Sequence, residues 1–211
     1  MVSNDKYTFI HLRKTGGTTI RKILVKYFNG FESSQKMTKE KNDFMLGIGL
    51  SYAPGLDTDE ISEPLEAHKT INKKVEGNKL IISVREPLTW FMSKYYYNER
   101  LTNKESEPTP EKFKVWLKGN ADAYIKEYQR VVKNLDVDYV IKMESMLEDI
   151  LYIMGDIGFD ISEELRTKIL SEPVYNALSY NRDINEHYDN ELKDLVYNKN
   201  KFFFDKFNYN K

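Results

Sequence analysis

The sequence predicts an α/β fold in three layers, with a mainly parallel central sheet flanked by helices and a helical C-terminal third. Apolar runs of strand length are each followed by a loop and then by a segment with apolar residues at helical spacing. This order occurs near residues 6–28, 79–100 and 138–154. Helices that connect consecutive strands in this way join parallel strands, because the chain crosses back over the sheet before the next strand begins.

Length and charge fit one domain, residues 1–211. The chain has 211 residues, with 32 Lys and Arg, 33 Asp and Glu, and a net charge of −1. A protein that binds duplex nucleic acid through its phosphates normally carries a marked positive excess, so nucleic acid is not an expected partner. An anion site in this chain has to be local.

The sequence contains no cysteine, which excludes a disulfide scaffold, a thiolate zinc site and a cysteine nucleophile. It has no apolar run of the ~20 residues that a membrane-spanning helix requires, and its first residues lack the pattern of a signal peptide. The expected location is therefore the cytoplasm or another reducing compartment, with no membrane span in this chain.

The first unit begins with a buried strand at residues 6–12 (KYTFIHL) and continues through the loop at residues 13–19. The helix that follows ends at Asn29-Gly30, as the turn chemistry of this pair predicts. Its apolar face has helical spacing and consists of Ile20, Ile23, Leu24, Tyr27 and Phe28.

The second unit has a buried strand at residues 79–84 (KLIISV) and a helix that starts near Pro87, where proline suits the first turn. Between the two units, the sequence predicts a short strand at residues 44–50 and an irregular stretch at 51–65. The apolar face of the second helix consists of Leu88, Phe91, Met92, Tyr95 and Tyr96.

Helices are predicted at residues 111–118 and 121–135, before a third strand at 138–143 (DYVIKM). The next helix buries Leu147, Ile150, Leu151 and Met154, and it ends at Gly155 or Gly158. Near the C-terminus, the run of three phenylalanines at residues 202–204 is interpreted as a helix end that packs on the core.

The loop Arg13-Lys14-Thr15-Gly16-Gly17-Thr18-Thr19 has the features of an anion site. A glycine pair lets the backbone approach a ligand, and the helix N-terminus after it favours negative charge. Lys14 adds a positive charge, and the hydroxyls of Thr15, Thr18 and Thr19 can donate hydrogen bonds. The alternative is a tight turn beside a solvated lysine, but the strand before it and the helix after it favour the anion site.

This loop differs from the Walker A loop of ATPases and GTPases. A Walker A loop has its lysine directly after the second glycine, whereas Lys14 precedes Gly16 and Gly17. An ordinary magnesium-dependent nucleoside triphosphatase is therefore disfavoured.

Residues 9–20 (FIHLRKTGGTTI) resemble the 5′-phosphosulfate-binding loop of sulfotransferases that use 3′-phosphoadenosine 5′-phosphosulfate (PAPS), usually written PKTGGT. The resemblance implies a P-loop-like fold, PAPS as the co-substrate, and 3′-phosphoadenosine 5′-phosphate (PAP) as the product. Arg13 stands where that family usually has proline, and it either touches the sulfate or faces solvent. The implied contacts with the 5′ side are Arg13, Lys14, Thr15, Gly16, Gly17, Thr18 and Thr19.

A second motif resembles the family's 3′-phosphate site, which consists of a strand, then Arg-Asp-Pro, then a serine on the next helix. Here these are Arg85-Glu86-Pro87 and Ser93. A guanidinium at a strand end offers a rigid fork of donors to a phosphate. Taken singly, Arg85 could be a structural ion pair and Ser93 a helix-surface hydroxyl. Trp90 stands where the family often has a second arginine.

Weaker resemblances extend over most of the chain. Residues 139–144 are similar to a family strand that ends in glutamate, and residues 187–192 are similar to the late helix of carbohydrate-modifying members. Arg182 falls where related proteins often place a basic residue over the bound nucleotide.

Transfer of a sulfuryl group to a hydroxyl requires a base for the acceptor proton and positive charge for the leaving phosphate. His68 resembles the base of the glycosaminoglycan 2-O-sulfotransferase-like branch, with Glu66 or Glu63 as alternatives because other branches use a glutamate. His11 is expected to be a core or sheet-end histidine rather than a base, and His187 is expected on the surface.

The predicted function is in-line transfer of a sulfuryl group from PAPS to a hydroxyl, most simply of a carbohydrate, with His68 as base and Lys14 stabilising the leaving 5′-phosphate. No metal is expected. The acceptor groove is expected in residues 31–65 and 100–120, and a tyrosine residue or a phenolic metabolite stays open as the acceptor. The alternatives are a kinase with a variant phosphate loop and a non-catalytic nucleotide-binding protein of the same fold.

Overall fold

The computed structural model describes residues 2–33, 78–102, 108–132, 135–175, 180 and 182–210. Five strands in this part form one sheet, in the order β3-β1-β2-β4-β5. Strands β2, β4 and β5 are parallel to one another, whereas β1 pairs antiparallel with both β2 and β3. The strands are β1 (Val2–Ser3), β2 (Tyr7–His11), β3 (Glu32–Ser33), β4 (Lys79–Val84) and β5 (Tyr139–Lys142).

The described residues also form eight α-helices and one short 3₁₀ helix, Met143–Ser145. The α-helices are α1 (Gly17–Tyr27), α2 (Pro87–Thr102), α3 (Pro110–Asn120), α4 (Ala123–Val132), α5 (Met146–Asp156), α6 (Glu163–Leu170), α7 (Ile184–His187) and α8 (Asn190–Phe207).

The sheet is the middle layer, because successive residues of the central strand β4 point to opposite faces. Leu80, Ile82 and Val84 belong to a core that α2, α3, α4 and α8 close. Ile81 belongs to a second core, which α1, α5 and α6 close on the other face. The expected three-layer α/β fold with a helical C-terminal third is confirmed.

The three principal strands were predictable because each is an apolar run bounded by polar residues. The structure places them within one residue of the predicted ends at 6–12 and 138–143, and at the predicted ends for 79–84. Strands β1 and β3 were not predicted, since each has two residues and no periodicity can be recognised in so short a segment. The predicted strand at 44–50 lies outside the described residues.

The last helix packs on the core as predicted, with Phe203 and Phe204 buried. The expectation that His187 lies on the surface is wrong, because its side chain has no exposed area. Its Nε2 lies 2.8 Å from the Tyr96 hydroxyl, and its Nδ1 lies 2.8 Å from the Asp183 carbonyl oxygen. A carbonyl only accepts, so Nδ1 carries the hydrogen, and in the neutral ring Nε2 accepts from the Tyr96 hydroxyl.

In the part of the chain that the structure describes, none of the helices has the length and apolar character needed to cross a bilayer.

Candidate active site

The two motifs found in the sequence meet at one edge of the sheet. Strands β2 and β4 are parallel neighbours with His11 opposite Ser83, so the loops after both strands leave side by side. Nη1 of Arg85 donates to the carbonyl oxygen of Lys14 at 3.3 Å, and the hydroxyls of Thr15 and Ser83 lie 2.6 Å apart. Groups 71 positions apart in the sequence therefore belong to one site.

The backbone after β2 adopts a left-handed conformation at two residues, with φ of +64° at Lys14 and +78° at Gly16. Helix α1 then begins without a side-chain hydrogen bond at its N-cap, Gly16, and without an acidic residue in its first turn. The first turn of a helix presents backbone N–H groups that the helix itself does not use, and its dipole favours negative charge there. This helix start is electrostatically suited to an anion.

The two glycines also avoid steric clashes with neighbouring side chains inside the protein. A Cβ on Gly17 would lie 2.3 Å from Cγ and Cδ2 of His11, and a Cβ on Gly16 would lie 2.5 Å from Sδ of Met143. Gly17 is therefore required because the His11 ring occupies that space, whereas Gly16 is required mainly because φ is positive.

His11 is a sheet-end histidine, as expected. Its ring stacks on Phe9 with 6.2 Å between the ring centroids. Burial, with smaller contributions from neighbouring positive charges, lowers the pKa of His11 to about 3. The ring is therefore neutral at physiological pH and contributes no positive charge to the candidate anion site.

The threonine hydroxyls have structural partners. Thr15 is fully buried and donates to the Leu12 carbonyl oxygen at 2.6 Å, so it accepts from Ser83, because a hydroxyl has one hydrogen. Thr19 is also fully buried, and its hydroxyl accepts from the backbone N–H of Tyr175 at 3.0 Å. The expected donation from the Thr15 hydroxyl to a ligand is corrected, because its hydrogen is used by the Leu12 carbonyl oxygen. Thr19 accepts with its oxygen and keeps its own hydroxyl hydrogen, so donation from Thr19 to a ligand stays a prediction.

Arg13 is held through its backbone on both sides. Its N–H donates to Oε1 of Glu127 at 2.5 Å, and its carbonyl oxygen accepts from Nε1 of Trp90 at 2.7 Å. Trp90 is fully buried, and its ring stacks on Tyr124 at 4.3 Å between centroids and an interplanar angle of 7°. The residue that stands in place of a second arginine thus supports the loop.

Arg85 is anchored at its backbone and at its guanidinium. The Tyr124 hydroxyl accepts from the Arg85 N–H at 2.8 Å and donates to the Arg85 carbonyl oxygen at 3.1 Å. Nε donates to Oγ1 of Thr89 at 3.1 Å, in addition to the bond from Nη1 to Lys14. Among the described residues, these bonds use two of the five guanidinium N–H groups, so the fork retains donors for a phosphate.

The acidic residue after Arg85 has a structural task. The carboxylate of Glu86 accepts from the backbone N–H groups of Leu88 at 2.8 Å and Thr89 at 2.7 Å, which caps the start of α2. Burial raises the pKa of Glu86, with these bonds opposing the shift. Ser93 follows on the same helix and is 6% exposed.

One further cation lies against α2, and a second lies over a ring that packs on α2. The Lys14 ammonium lies 3.7 Å from the centroid of the Tyr97 ring, one turn beyond Ser93. The Arg182 guanidinium lies 5.5 Å from the Tyr180 ring, which stacks on Tyr96 at 4.5 Å between centroids. Lys14 and Ser93 therefore lie along the helix that Arg85 precedes, and Arg182 reaches that helix only through the Tyr180 ring.

The predicted base His68 and its alternatives Glu66 and Glu63 lie outside the described residues, as do residues 34–65 of the predicted acceptor groove. The described part of residues 100–120 contains the end of α2 and the whole of α3. Within the described ranges, no group of three or more His, Asp or Glu side chains is placed to hold a metal ion.

The structure adds a contact that the sequence did not indicate. Glu172 accepts from Nζ of Lys26 at 2.5 Å, from the hydroxyl of Tyr27 at 2.5 Å, and from the hydroxyl of Tyr175 at 2.9 Å. These bonds attach the segment after α6 to α1 and bring the Tyr175 N–H to Thr19. No local pattern indicates a cluster whose members are almost 150 positions apart.

We expect Glu172→Gln to destabilise the protein at neutral pH and to have progressively less effect in acid. The three donors lower the pKa of Glu172 to about 2, below its ordinary value of 4.5. A depressed pKa stabilises the fold above pH 4.5, and this contribution is lost as the pH falls toward 2. Urea unfolding of the wild type and Glu172→Gln across this pH range measures the difference in their free energies of unfolding. A difference that stays constant with pH would contradict the lowered pKa of Glu172.

The described fold is similar to the crystal structure of mouse sulfotransferase SULT7A1 complexed with PAP. The two share 15% sequence identity with a TM-score of 0.54, over 96% of this chain and 84% of the mouse chain. The chain therefore has the P-loop-like sulfotransferase fold. No protein-family model matches the sequence, and no curated protein matches it either.

Proposed function

We propose that the chain is a PAPS-dependent sulfotransferase. The observation that carries the proposal is the meeting of two anion-binding motifs at the ends of β2 and β4, with Nη1 of Arg85 at 3.3 Å from the Lys14 carbonyl oxygen. A nucleotide with phosphates at both 3′ and 5′ positions requires two such groups of donors in one site. The mouse sulfotransferase of similar fold was crystallised with PAP, which supports the same choice of nucleotide.

The donor set fits PAPS. On the 5′ side, the backbone N–H groups of residues 16–19, together with Lys14 and Arg13, offer donors and positive charge to the phosphosulfate. On the 3′ side, the Arg85 fork and the Ser93 hydroxyl hold the 3′-phosphate, and Arg182 covers the nucleotide. Bound PAPS supplies the sulfuryl group and a phosphate leaving group.

The chain's own residues then provide charge and a base. The Lys14 ammonium stabilises the negative charge that develops on the 5′-phosphate, where a preformed cation is most effective. His68 accepts the proton of the acceptor hydroxyl, with Glu66 or Glu63 in the same role if His68 is too distant. This scheme requires no metal ion.

We further propose that the acceptor is a carbohydrate hydroxyl. The support is the likeness of His68 and of residues 187–192 to carbohydrate-modifying members of the family. Zero cysteine in the sequence favours a reducing compartment as its place of action.

The first test is a thermal-shift titration of the wild type and Arg85→Ala with PAP, ADP, and ATP plus magnesium. We expect PAP at about 100 times its Kd to stabilise the wild type by about 2.7 kcal/mol, or roughly 5–10 °C for a domain of this size. Arg85→Ala should lose most of this shift, because the 3′-phosphate loses its fork. Arg166→Ala, which removes an exposed arginine of α6, is the matched control.

The other outcomes separate the alternatives. Stabilisation only by ATP with magnesium would refute the sulfotransferase and support a kinase. Stabilisation by PAP, with no sulfated product from any acceptor tried, would indicate a nucleotide-binding protein without catalysis. No shift with any nucleotide would indicate that the fold serves another purpose.

A further inference from the structure

We propose that Tyr124 and Glu127, two residues of α4, are positioning residues that fix the two halves of the nucleotide site relative to each other. The inference rests on the proposed function for its effect on nucleotide binding. Tyr124 acts on the 3′ half through the backbone of Arg85, and Glu127 acts on the 5′ half through the backbone of Arg13.

Tyr124 fixes the residue at the end of β4. Its hydroxyl bonds both the N–H and the carbonyl oxygen of Arg85, at 2.8 and 3.1 Å, so the peptide groups on either side of the Arg85 Cα are held by one oxygen. Burial raises the pKa of Tyr124 well above its usual range, so the hydroxyl keeps the hydrogen that it donates. The direction in which the guanidinium leaves the strand is thereby set.

Glu127 fixes the loop after β2. Its Oε1 accepts from the N–H of Arg13 at 2.5 Å, directly before Lys14 takes its positive φ of 64°. Burial raises the pKa of Glu127, whereas the Arg13 N–H and the charges of Lys94, Arg13 and Arg130 oppose the shift. Three cations on the loop, α2 and α4 thus favour the carboxylate that holds the loop.

The two contacts belong to one packed cluster. The Tyr124 ring is stacked on Trp90 at 4.3 Å and on Phe203 at 3.9 Å between centroids, with interplanar angles of 7° and 10°. Trp90 in turn donates to the Arg13 carbonyl oxygen at 2.7 Å. Because residues 124 and 127 lie one turn apart on the same helix, α4 sets the spacing between the backbone of Arg85 and that of Arg13.

The two residues should therefore have separable effects. Loss of the Tyr124 hydroxyl loosens Arg85, so affinity for a 3′-phosphate falls while affinity for the 5′ side stays. Loss of the Glu127 carboxylate loosens the loop that every nucleotide contacts, so all affinities fall together. A residue with only a structural role in the core would not produce this division.

The first measurement is amide hydrogen exchange of the ligand-free protein, which needs no nucleotide. In Tyr124→Phe, which retains the ring stack, peptides that contain the Arg85 amide should exchange faster while peptides of the loop at 13–16 do not. Glu127→Ala should show the reverse, and Glu127→Gln, whose amide oxygen can still accept, should restore protection of the Arg13 amide. Unchanged exchange at both sites would overturn the proposal.

The second measurement is calorimetric binding of PAP and of adenosine 5′-monophosphate (AMP), which lacks the 3′-phosphate. Tyr124→Phe should weaken PAP binding about tenfold and AMP binding less than about twofold, as expected for the loss of two hydrogen bonds. Glu127→Ala should weaken both about equally, leaving their ratio unchanged, and Glu127→Gln should recover most of the affinity.

Tyr128→Phe is the matched control, since Tyr128 lies on the same helix with its ring against Phe202 and Phe203. It should leave both exchange patterns and both affinities unchanged. If the wild type binds neither nucleotide, the proposed function fails, and the exchange data still decide whether α4 positions the two segments. If the wild type binds PAP, and every variant binds PAP and AMP as tightly as the wild type does, the positioning role is refuted.

Discussion

Lys14→Ala is expected to lower kcat for sulfuryl transfer at least about a hundredfold while leaving the protein folded. Removing one preformed donor to a developing negative charge typically costs 10²–10³ in rate, at about 2.7–4 kcal/mol. Alanine meets the same φ of +64° as lysine, so the backbone conformation at residue 14 costs no more in the variant. The ammonium also loses its contact with the Tyr97 ring, at 3.7 Å from the centroid. Such a contact contributes about 0.5–1 kcal/mol at an exposed site.

The measurement is formation of PAP and sulfated product from PAPS with a panel of carbohydrate acceptors. Lys14→Arg keeps the charge and should retain part of the rate, whereas Lys14→Met keeps the length of the side chain and should lose as much as alanine. Lys118→Ala removes an exposed charge from α3 and should have no effect. A Lys14→Ala protein with near wild-type kcat would exclude Lys14 from catalysis.

The main elements of the fold and the parallel direction of its three principal strands could be predicted from the sequence. The short strands at its edge and the order of the strands in the sheet could not. Strand β4 is a run of apolar residues between polar ones, so its bounds follow from composition alone. Strands β1 and β3 exist because Val2 pairs with both Phe9 and Ser33, which is a property of the folded chain and not of any local segment.

The site could be predicted as far as its motifs extend. Lys14, Gly16 and Arg85 were found because glycine, lysine and arginine directly after buried strands are typical of phosphate-binding loops, and the structure brings them together. Tyr124 and Glu127 were missed because a tyrosine and a glutamate within an amphipathic helix look like ordinary core and surface positions. Their function depends on what lies across the interface, 39 and 114 positions away.

Local polarity was also misleading in two places. His187 lies among polar residues, and a surface position followed from that, but its own side of the short helix α7 faces the core. The threonines beside the glycine pair suggested donors to a ligand. Thr15, in the loop before α1, and Thr19, in the first turn of α1, are both fully buried. The Thr15 hydroxyl bonds Leu12 and Ser83, and the Thr19 hydroxyl bonds the N–H of Tyr175, which are partners that the local sequence does not indicate.

Gly17→Ala is expected to destabilise the protein by about 1–3 kcal/mol and to weaken nucleotide binding. In a helix, alanine is intrinsically favoured over glycine by about 1 kcal/mol, so helix propensity alone predicts the opposite sign. The clash decides the sign, because the new Cβ would lie 2.3 Å from two ring atoms of His11 and 2.7 Å from its Cβ. Relief requires the first turn of α1 to move away from β2, which displaces the backbone N–H groups of the candidate anion site.

Gly119→Ala is the matched control, since a Cβ at that helical glycine has no heavy atom within 4 Å and should be neutral or stabilising. Chemical unfolding of both variants measures the sign of each change in stability. PAP titration measures the accompanying change in nucleotide affinity. The double variant His11→Ala with Gly17→Ala tests the cause, because removing the ring removes the two contacts at 2.3 Å and leaves the Cβ contact at 2.7 Å. Partial recovery of stability and affinity would identify the His11 ring as the reason that residue 17 is glycine. Failure to recover either would mean that the ring is not the cause, and that the remaining Cβ contact at 2.7 Å or the backbone of the candidate anion site requires the glycine.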